Sequence, residues 1–279
     1  MLNNDIHSVI ILCGGMSRRM GEDKGSMLIN GKPMIIYTIE SLIGEVEELI
    51  IVLNNQERIF KYQSIIEKHI KKSEKDFHFK IKFVEDEIKD KGPLSGIMTG
   101  LKNTSSEYCL ILPCDSPFIN SSFIKNMFNI LNQNLNLQYN KNKKSNYTYT
   151  YNSIINHDPK YEIDAIIPYH NDKTSQDNNP NKIFNKENII ENSEPLHSIY
   201  NKNTYKKIQK LLENDEKQVK ALIKINNSVF VPIKENKTKN NNNNNKNNNK
   251  NNYNKKNQNI NNITETNFRN INYKKDIEK

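Results

Sequence analysis

The sequence predicts an α/β protein, a three-layer α/β/α sandwich around a mostly parallel central sheet. Three observations lead there. Short apolar runs rich in β-branched residues alternate with helical-period stretches through the first half of the 279-residue chain. Those runs are apolar on both faces, as strands covered by helices on each side must be. Finally, chemically useful residues recur just past the carboxyl ends of the runs, at Gly14-Gly15, Asp86 and Asp115. Ligands of open α/β sheets bind at that edge.

Each element has its own signal. Val9–Leu12 is a first strand, and Pro33 stands where a helix over Met34–Leu42 begins. Glu48–Leu53 is a second strand, followed by a helix over Glu57–Lys71. Lys80–Val84 is a third strand, and Pro93 opens a helix to Lys102. Tyr108–Leu112 is a fourth, with a helix over Ser121–Leu131 behind it. The second half is less regular. Ile163–Pro168, Leu196–Tyr200 and Val229–Ile233 read as strands, with helices near Thr204–Glu213 and Val219–Lys224. This half extends the same sheet.

Asn- and Lys-rich tracts near 134–157, 171–192 and 236–262 carry few apolar residues to offset the entropy of ordering them. Without them the chain holds one ordinary core, so the organisation expected is a single domain, 1–279, with low-complexity insertions. The formal charge is +9, but ten Lys or Arg against three Asp or Glu lie from Asn236 onward. The basic excess therefore sits in or beside an Asn tract. No aromatic-interleaved patch stacks bases, and a nucleic-acid partner is not expected. Cys13, Cys109 and Cys114 have no metal-binding spacing and read as small core residues. Val9–Cys13 is too short for a signal or a membrane segment. A soluble cytoplasmic protein without membrane partners is expected.

Residues 10–24 carry the chemistry. A strand runs into a bare Gly14-Gly15 turn, then Arg18-Arg19, then Lys24. Glycines let the backbone approach a ligand and make positive φ cheap, while exposed N–H groups and cations suit a polyphosphate. The segment lacks Gly-Lys-Ser/Thr, so it is no P-loop. Nor is it spaced as Gly-x-Gly-x-x-Gly, the dinucleotide fingerprint. What remains is Leu-x-Gly-Gly-x-Ser-x-Arg-Met-Gly-x-Asp-Lys at Leu12, Gly14, Gly15, Ser17, Arg19, Met20, Gly21, Asp23 and Lys24.

That pattern resembles the signature of nucleotidyltransferases with a glycosyltransferase-A-like fold, and within them is most similar to the molybdenum cofactor guanylyltransferases, the MobA-like enzymes. The resemblance implies a Rossmann-like, nucleotide-diphospho-sugar transferase-like sheet. It implies transfer of GMP from GTP to molybdenum-molybdopterin, with pyrophosphate released, and molybdoenzymes or cofactor-biosynthesis proteins as further partners. It covers most of the chain outside the tracts and is strongest at 9–33, 83–101 and 108–118. Cys13 stands where the family has alanine, and Tyr273 where it tends to have threonine. Gly14-Gly15 fits guanine recognition, whereas cytidylyl relatives tend to have Ala-Gly. Rival readings are cytidylyltransfer to the same pterin, transfer to a sugar phosphate, or a nonenzymatic binding or assembly protein.

Roles follow residue by residue. Leu12, Cys13, Gly14 and Gly15 seat the nucleotide through their backbone, and Lys24 and Arg19 bind the triphosphate. Asp115, ending a strand in Pro-Cys-Asp-Ser-Pro, holds Mg²⁺, which takes one or two carboxylates plus phosphate oxygens; the alternative is a turn-forming Asp before Pro117. Asp86, ahead of Gly92-Pro93-Leu94-Ser95-Gly96, is either a nucleotide contact or a solvated turn acid, and Gly96 permits close approach to ligand or sheet. Asp23 orients a neighbouring cation; Asn54 and Asn55 touch base or ribose, or shape a turn. Glu194–Tyr200 is similar to the family's Pro-Leu-x-x-x-Tyr strand near the acceptor, with His197 read as a satisfied strand histidine. Phe268-Arg-Asn270-Ile-Asn272 resembles a closing segment whose asparagines reach metal or pterin.

Overall fold

A computed structural model describes residues 7–14, 23–75, 77–141, 154–155, 161–170, 186–233 and 263–264. In chain order the strands and helices are β1 (Ser8–Leu12), β2 (Leu28–Ile29), β3 (Lys32–Pro33), α1 (Met34–Ser41), β4 (Glu48–Leu53), α2 (Gln56–Lys72), β5 (Lys80–Glu85), α3 (Pro93–Asn103) and β6 (Tyr108–Pro113). Then come α4 (Ser121–Lys141), β7 (Ile154–Ile155), β8 (Ala165–His170), α5 (Lys186–Glu191), β9 (Ile199–Asn201), α6 (Tyr205–Glu213), α7 (Val219–Ile225) and β10 (Ser228–Ile233).

The main sheet has the order β5-β4-β1-β6-β9-β8-β10-β7. The four strands β5, β4, β1 and β6 run parallel, β9 is antiparallel to both its neighbours, and β8 and β10 are parallel again. The α/β expectation holds, with a mostly parallel sheet. Alternation along β1 explains the layers. Val9, Ile11 and Cys13 face one core with α1, α2 and α4, and Ile10 faces the other with α3 and α6. Leu110 and Leu112 of β6 repeat the first set, and Cys109 and Ile111 the second. Both cores are needed because a parallel strand has no solvent face.

Close packing of α3 on β1 depends on glycine. A Cβ at Gly100 would lie 2.5 Å from Ile10 Cγ2, and one at Gly96 would lie 3.1 Å from Leu12 Cδ2. The expectation that Gly96 lets a helix lie against the sheet is met. From β1 the chain goes to β4 and β5 on one side, then returns to β6 on the other. The register pairs Leu12 with Pro113, so the two strands end side by side at the edge where open α/β sheets take ligands.

Several elements differ from the sequence reading. The last helix of the first half continues to Lys141, through a stretch read as low-complexity, and Asn134 is buried with its amide on the Ile130 carbonyl. Lys186–Glu191 is also helical inside a second such tract, because Ile189 and Ile190 supply a buried face. The strand expected at Leu196–Tyr200 begins as a 3-10 turn over Pro195–His197 and pairs only from Ile199 to Asn201. Pro195 has no N–H for a ladder, and Ser198 Oγ donates to the Glu194 carbonyl to close the turn. The strand expected to stop at Pro168 runs on to His170, whose N–H donates to the Asn192 carbonyl. A hairpin of β2 and β3 was not expected, although its Asn30-Gly31 turn, both residues at positive φ (49° and 77°), is a strong hairpin signal.

Candidate active site

The end of β1 is laced to β4 on one side and to β6 on the other before any side chain is considered. The Cys13 N–H donates to the Val52 carbonyl at 2.8 Å, and the Cys114 N–H donates to the Leu12 carbonyl at 3.2 Å. The backbone thereby carries Gly14 and Asp115 to the same carboxyl edge of the sheet. Lys24 arrives on a 3-10 turn over Lys24–Ser26, and its Nζ donates to Asp115 Oδ2 at 2.8 Å. Both side chains are about four-fifths buried, at 20% and 16% exposure, so solvent screens the pair only partly. Lys24 and Asp115, 91 residues apart in sequence, thus share one site.

Asp23 builds the platform under Lys24. Its Oδ1 accepts from the Arg58 guanidinium at 2.6 Å and from the Tyr62 hydroxyl at 2.6 Å, while Lys61 Nζ lies 3.4 Å from Oδ2 and 2.8 Å from Ser26 Oγ. Burial works against the Arg58 charge, but Asp23 beside it outweighs that and raises the guanidinium pKa. Burial also pushes the Tyr62 hydroxyl far above the usual phenol range, which keeps it a donor to Asp23. The expectation that Asp23 orients a cation is thus refined: it ties the turn to α2. The sequence reading missed Arg58, Lys61 and Tyr62. Their spacing of three and four residues on one helix face was the available signal.

Gly25 fits between these groups with no room for a side chain. A Cβ there would collide with the Tyr62 hydroxyl and approach Cys114 Sγ to 3.2 Å. Gly14 is the opposite case. A Cβ on it would meet none of the described residues within 4 Å, and its φ is not in the left-handed region. Neither crowding by the described residues nor backbone strain requires glycine at that position. Gly15, Ser17, Arg18, Arg19, Asn270 and Asn272 lie outside the described residues.

Asp86 ends β5 with its N–H on the Leu53 carbonyl at 2.7 Å. Its Oδ1 accepts from the Ser95 and Thr99 hydroxyls, the latter at 3.0 Å, and so fastens the strand end to α3. Burial raises its pKa, partly offset by those two bonds. It is therefore not a solvated turn acid. Its carboxylate faces Gly96, whose added Cβ would lie 3.9 Å from Oδ2. Gly92, at φ 68°, supplies the left-handed residue before Pro93. Asn55 caps α2 by accepting from the Arg58 N–H at 2.9 Å, and Asn54 accepts from the Arg58 guanidinium at 2.8 Å. These contacts fit turn-shaping, the plainer of the two readings.

All three cysteines are free and buried, as expected of core residues, and burial holds the Cys13 thiol well above its ordinary pKa. His197 is fully buried between Ser116 Oγ, 3.0 Å from Nε2, and Glu194 Oε2, 3.4 Å from Nδ1. Among the described residues no cluster of three His, Cys, Asp or Glu side chains is arranged to hold a metal ion by itself. A divalent ion fits here only as Mg²⁺ commonly binds, on one carboxylate with phosphate oxygens and water completing the shell. Asp115 is such a carboxylate. Among the described residues no helix is long and apolar enough to cross a membrane.

Comparison with known proteins bears on this site. The pattern of the MobA-like NTP transferase domain matches residues 9–229, from the first strand into the last parallel one. The chain belongs to the MobA-like NTP transferase family. It is 27% identical over 228 residues to the "Probable molybdenum cofactor guanylyltransferase" of Methanothermobacter thermautotrophicus, covering 81% of this chain and 86% of that one. It is 35% identical over 124 residues to the molybdenum cofactor guanylyltransferase of Shewanella putrefaciens, covering 44% of this chain and 55% of the relative. The match to that second relative therefore spans about half of its length. A crystal structure of a protein from Aquifex aeolicus VF5 shares the fold, with a TM-score of 0.51 at 18% identity over 83% of this chain and 90% of that one. The chain is thus a member of a nucleotidyltransferase family, with the α/β sheet that family uses.

Proposed function

We propose that this chain transfers GMP from GTP to the terminal phosphate of molybdenum-molybdopterin, releasing pyrophosphate and forming the guanine dinucleotide of the cofactor. The observation that carries the proposal is the Lys24–Asp115 pair at the carboxyl ends of β1 and β6, with a Gly14 whose added Cβ would meet none of the described residues within 4 Å. A base or ribose lying against the loop gives a reason for glycine there. The printed names of the relatives from Methanothermobacter and Shewanella support guanylyl transfer to the same cofactor.

In the reaction an oxygen of the acceptor phosphate forms a bond to the α-phosphorus of GTP. The bond from that phosphorus to the bridging oxygen breaks in line, and pyrophosphate leaves with the electron pair. No covalent enzyme intermediate is needed, since positioning and charge stabilisation suffice for phosphoryl-type transfer. Lys24, with Arg19, balances charge that moves onto the departing pyrophosphate. The Leu12–Gly14 backbone, continued by Gly15, seats the nucleotide, and Asp86 borders its far side. Asp115 would hold Mg²⁺, which when bound supplies charge neutralisation to the phosphates. Asp23, Arg58 and Tyr62 keep Lys24 in place. The chain works as one domain with Asn/Lys-rich insertions, and free cysteines suit a cytoplasmic setting.

The test is a nucleotide panel. The full-length chain is mixed with Mg²⁺ and GTP, CTP, ATP or UTP, with and without molybdopterin or a sugar phosphate, and pyrophosphate is measured. Release with GTP and molybdopterin alone is expected. Preference for CTP moves the assignment to cytidylyl transfer, dependence on a sugar phosphate changes the acceptor, and no release with any pair overturns the enzyme reading.

A further inference from the structure

One residue after Asp115, the chain is gripped from two other elements and from its own turn. Ser116 is fully buried. Its carbonyl accepts from the Thr38 hydroxyl of α1 and from the Ile119 N–H, both at 3.3 Å. Its hydroxyl lies 3.0 Å from His197 Nε2. The far side of that imidazole faces Glu194 Oε2 at 3.4 Å, and the other Glu194 oxygen lies 3.0 Å from His170 Nε2 at the end of β8.

The topology explains why this chain of contacts exists. Because β9 runs antiparallel between β6 and β8, the turn that leads into it lies at the same edge as their carboxyl ends. Two backbone bonds pin that turn: the Ile111 N–H on the Ser198 carbonyl, and the Glu194 N–H on the Pro168 carbonyl. A buried imidazole costs stability unless its nitrogens have partners. At Nε2 the partner is a serine adjacent to the site's carboxylate, and Nδ1 faces the Glu194 carboxylate at 3.4 Å.

We propose that His197, braced by Glu194, is a positioning residue that clamps Ser116 and so fixes the Asp115 carboxylate for the transfer reaction. The inference rests on the reading of Asp115 given above. Asp115 sits on a turn with no strand beyond it, and a misplacement of about 1 Å in such a group costs about a hundredfold in rate. Side chains of the metal and phosphate site need locked neighbours to stay in register. The clamp also couples the β8–β9 side of the sheet, through Glu194, to the group that handles the nucleotide phosphates.

The test compares full-length wild type with His197→Leu, His197→Gln, Ser116→Ala and the double variant of His197→Leu with Ser116→Ala. Amide hydrogen exchange of the 113–119 segment, Mn²⁺ binding by electron paramagnetic resonance, and steady-state kinetics are read together. His197→Leu and Ser116→Ala are each expected to raise exchange in 113–119 and to weaken Mn²⁺ binding severalfold. Each lowers kcat by about tenfold with KM for GTP within about twofold, as loss of a transition-state interaction does. The double variant is expected to be no worse than either alone, because both break one clamp. His197→Gln, whose amide can still hydrogen-bond to Ser116 in either direction, is expected to recover most of the rate and the exchange protection.

Unchanged exchange and kcat in His197→Leu would overturn the proposal. So would exchange that rises equally in β4, on the far side of the sheet, since that is general destabilisation. If wild type itself releases no pyrophosphate, the functional reading fails, and the exchange and Mn²⁺ comparisons alone decide the clamp.

Discussion

Lys24 Nζ lies 2.8 Å from Asp115 Oδ2, an ion pair that joins the turn behind the first strand to the tip of the fourth parallel one. Its two halves come from opposite sides of the point where the strand order reverses. Nothing in the local sequence of either residue brings them together; the parallel register of β1 with β6 does.

Removing either partner is expected to cost activity far more than stability. Lys24→Ala and Asp115→Asn should each lower kcat/KM by about a hundred- to a thousandfold, the usual effect of losing a charged group aimed at the reacting phosphates. Lys24→Arg should recover only part, because a planar guanidinium does not occupy the place of a compact ammonium. Steady-state pyrophosphate release measures this. Turnover within about threefold of wild type in Asp115→Asn, against the loss expected of such a charge, would remove Asp115 from the chemistry.

Arg58 is expected to matter through Asp23. Arg58→Ala leaves a mostly buried carboxylate short of its strongest partner, which should destabilise the fold by about 2–3 kcal/mol. Tyr62→Phe removes one neutral donor and should cost about 1 kcal/mol. Because Asp23 precedes Lys24, Arg58→Ala should also reduce kcat/KM, while Tyr62→Phe changes it less. Urea unfolding with parallel kinetics separates the two effects. Equal stability of Arg58→Ala and wild type would show that Asp23 does not need the guanidinium.

How far the sequence could be read depended on the range of the interaction involved. The strand Glu48–Leu53 matches the expectation residue for residue, because its apolar run is long and its boundaries are polar. Lys24, Asp115 and Gly14 were legible as well, since strand ends and a glycine turn are local patterns. Arg58 was not, because its partner Asp23 is 35 residues away and only the packing of α2 brings them together. The contact of Ser116 with His197 spans 81 residues and depends on the antiparallel insertion of β9, which no periodicity announces. Asn-rich composition misled at Lys186–Glu191, where two isoleucines were enough to dock a short helix.

Two glycines should respond in opposite ways to alanine. Gly100→Ala pushes a methyl group against Ile10 in the core, and overpacking of this kind costs about 1–3 kcal/mol. The better helix propensity of alanine recovers up to about 1 kcal/mol of that, so the net change is a loss. Gly14→Ala meets none of the described residues and should change stability by less than about 0.5 kcal/mol. Its effect should instead fall on GTP binding, weakened about tenfold or more, as expected when a Cβ occupies ground a ligand needs. Thermal melts and nucleotide titration distinguish the two. Normal GTP affinity in Gly14→Ala would mean the loop does not approach the nucleotide closely.

Glu40 should make stability depend on acid. On α1 it meets Lys32 at 3.0 Å, His69 at 2.9 Å and Lys75 at 2.8 Å, tying the hairpin and α2 to one carboxylate. Burial opposes its charge, but hydrogen bonds and charge from Lys75 and Lys32 outweigh that and lower its pKa from 4.5 to about 2. A carboxylate whose folded pKa lies below its unfolded one stabilises the fold fully above the unfolded value, and loses that contribution as pH falls through the folded one. The window here runs from about 4.5 down to about 2. Allowing for screening by solvent at a partly exposed pair, the contribution is about 1–2 kcal/mol. Glu40→Gln should therefore be less stable than wild type by that amount near neutral pH, and the gap should close as the pH falls through the window. A gap that stays constant from neutral pH to the bottom of the window would show that the charge of Glu40 contributes nothing, and that any difference comes from packing alone.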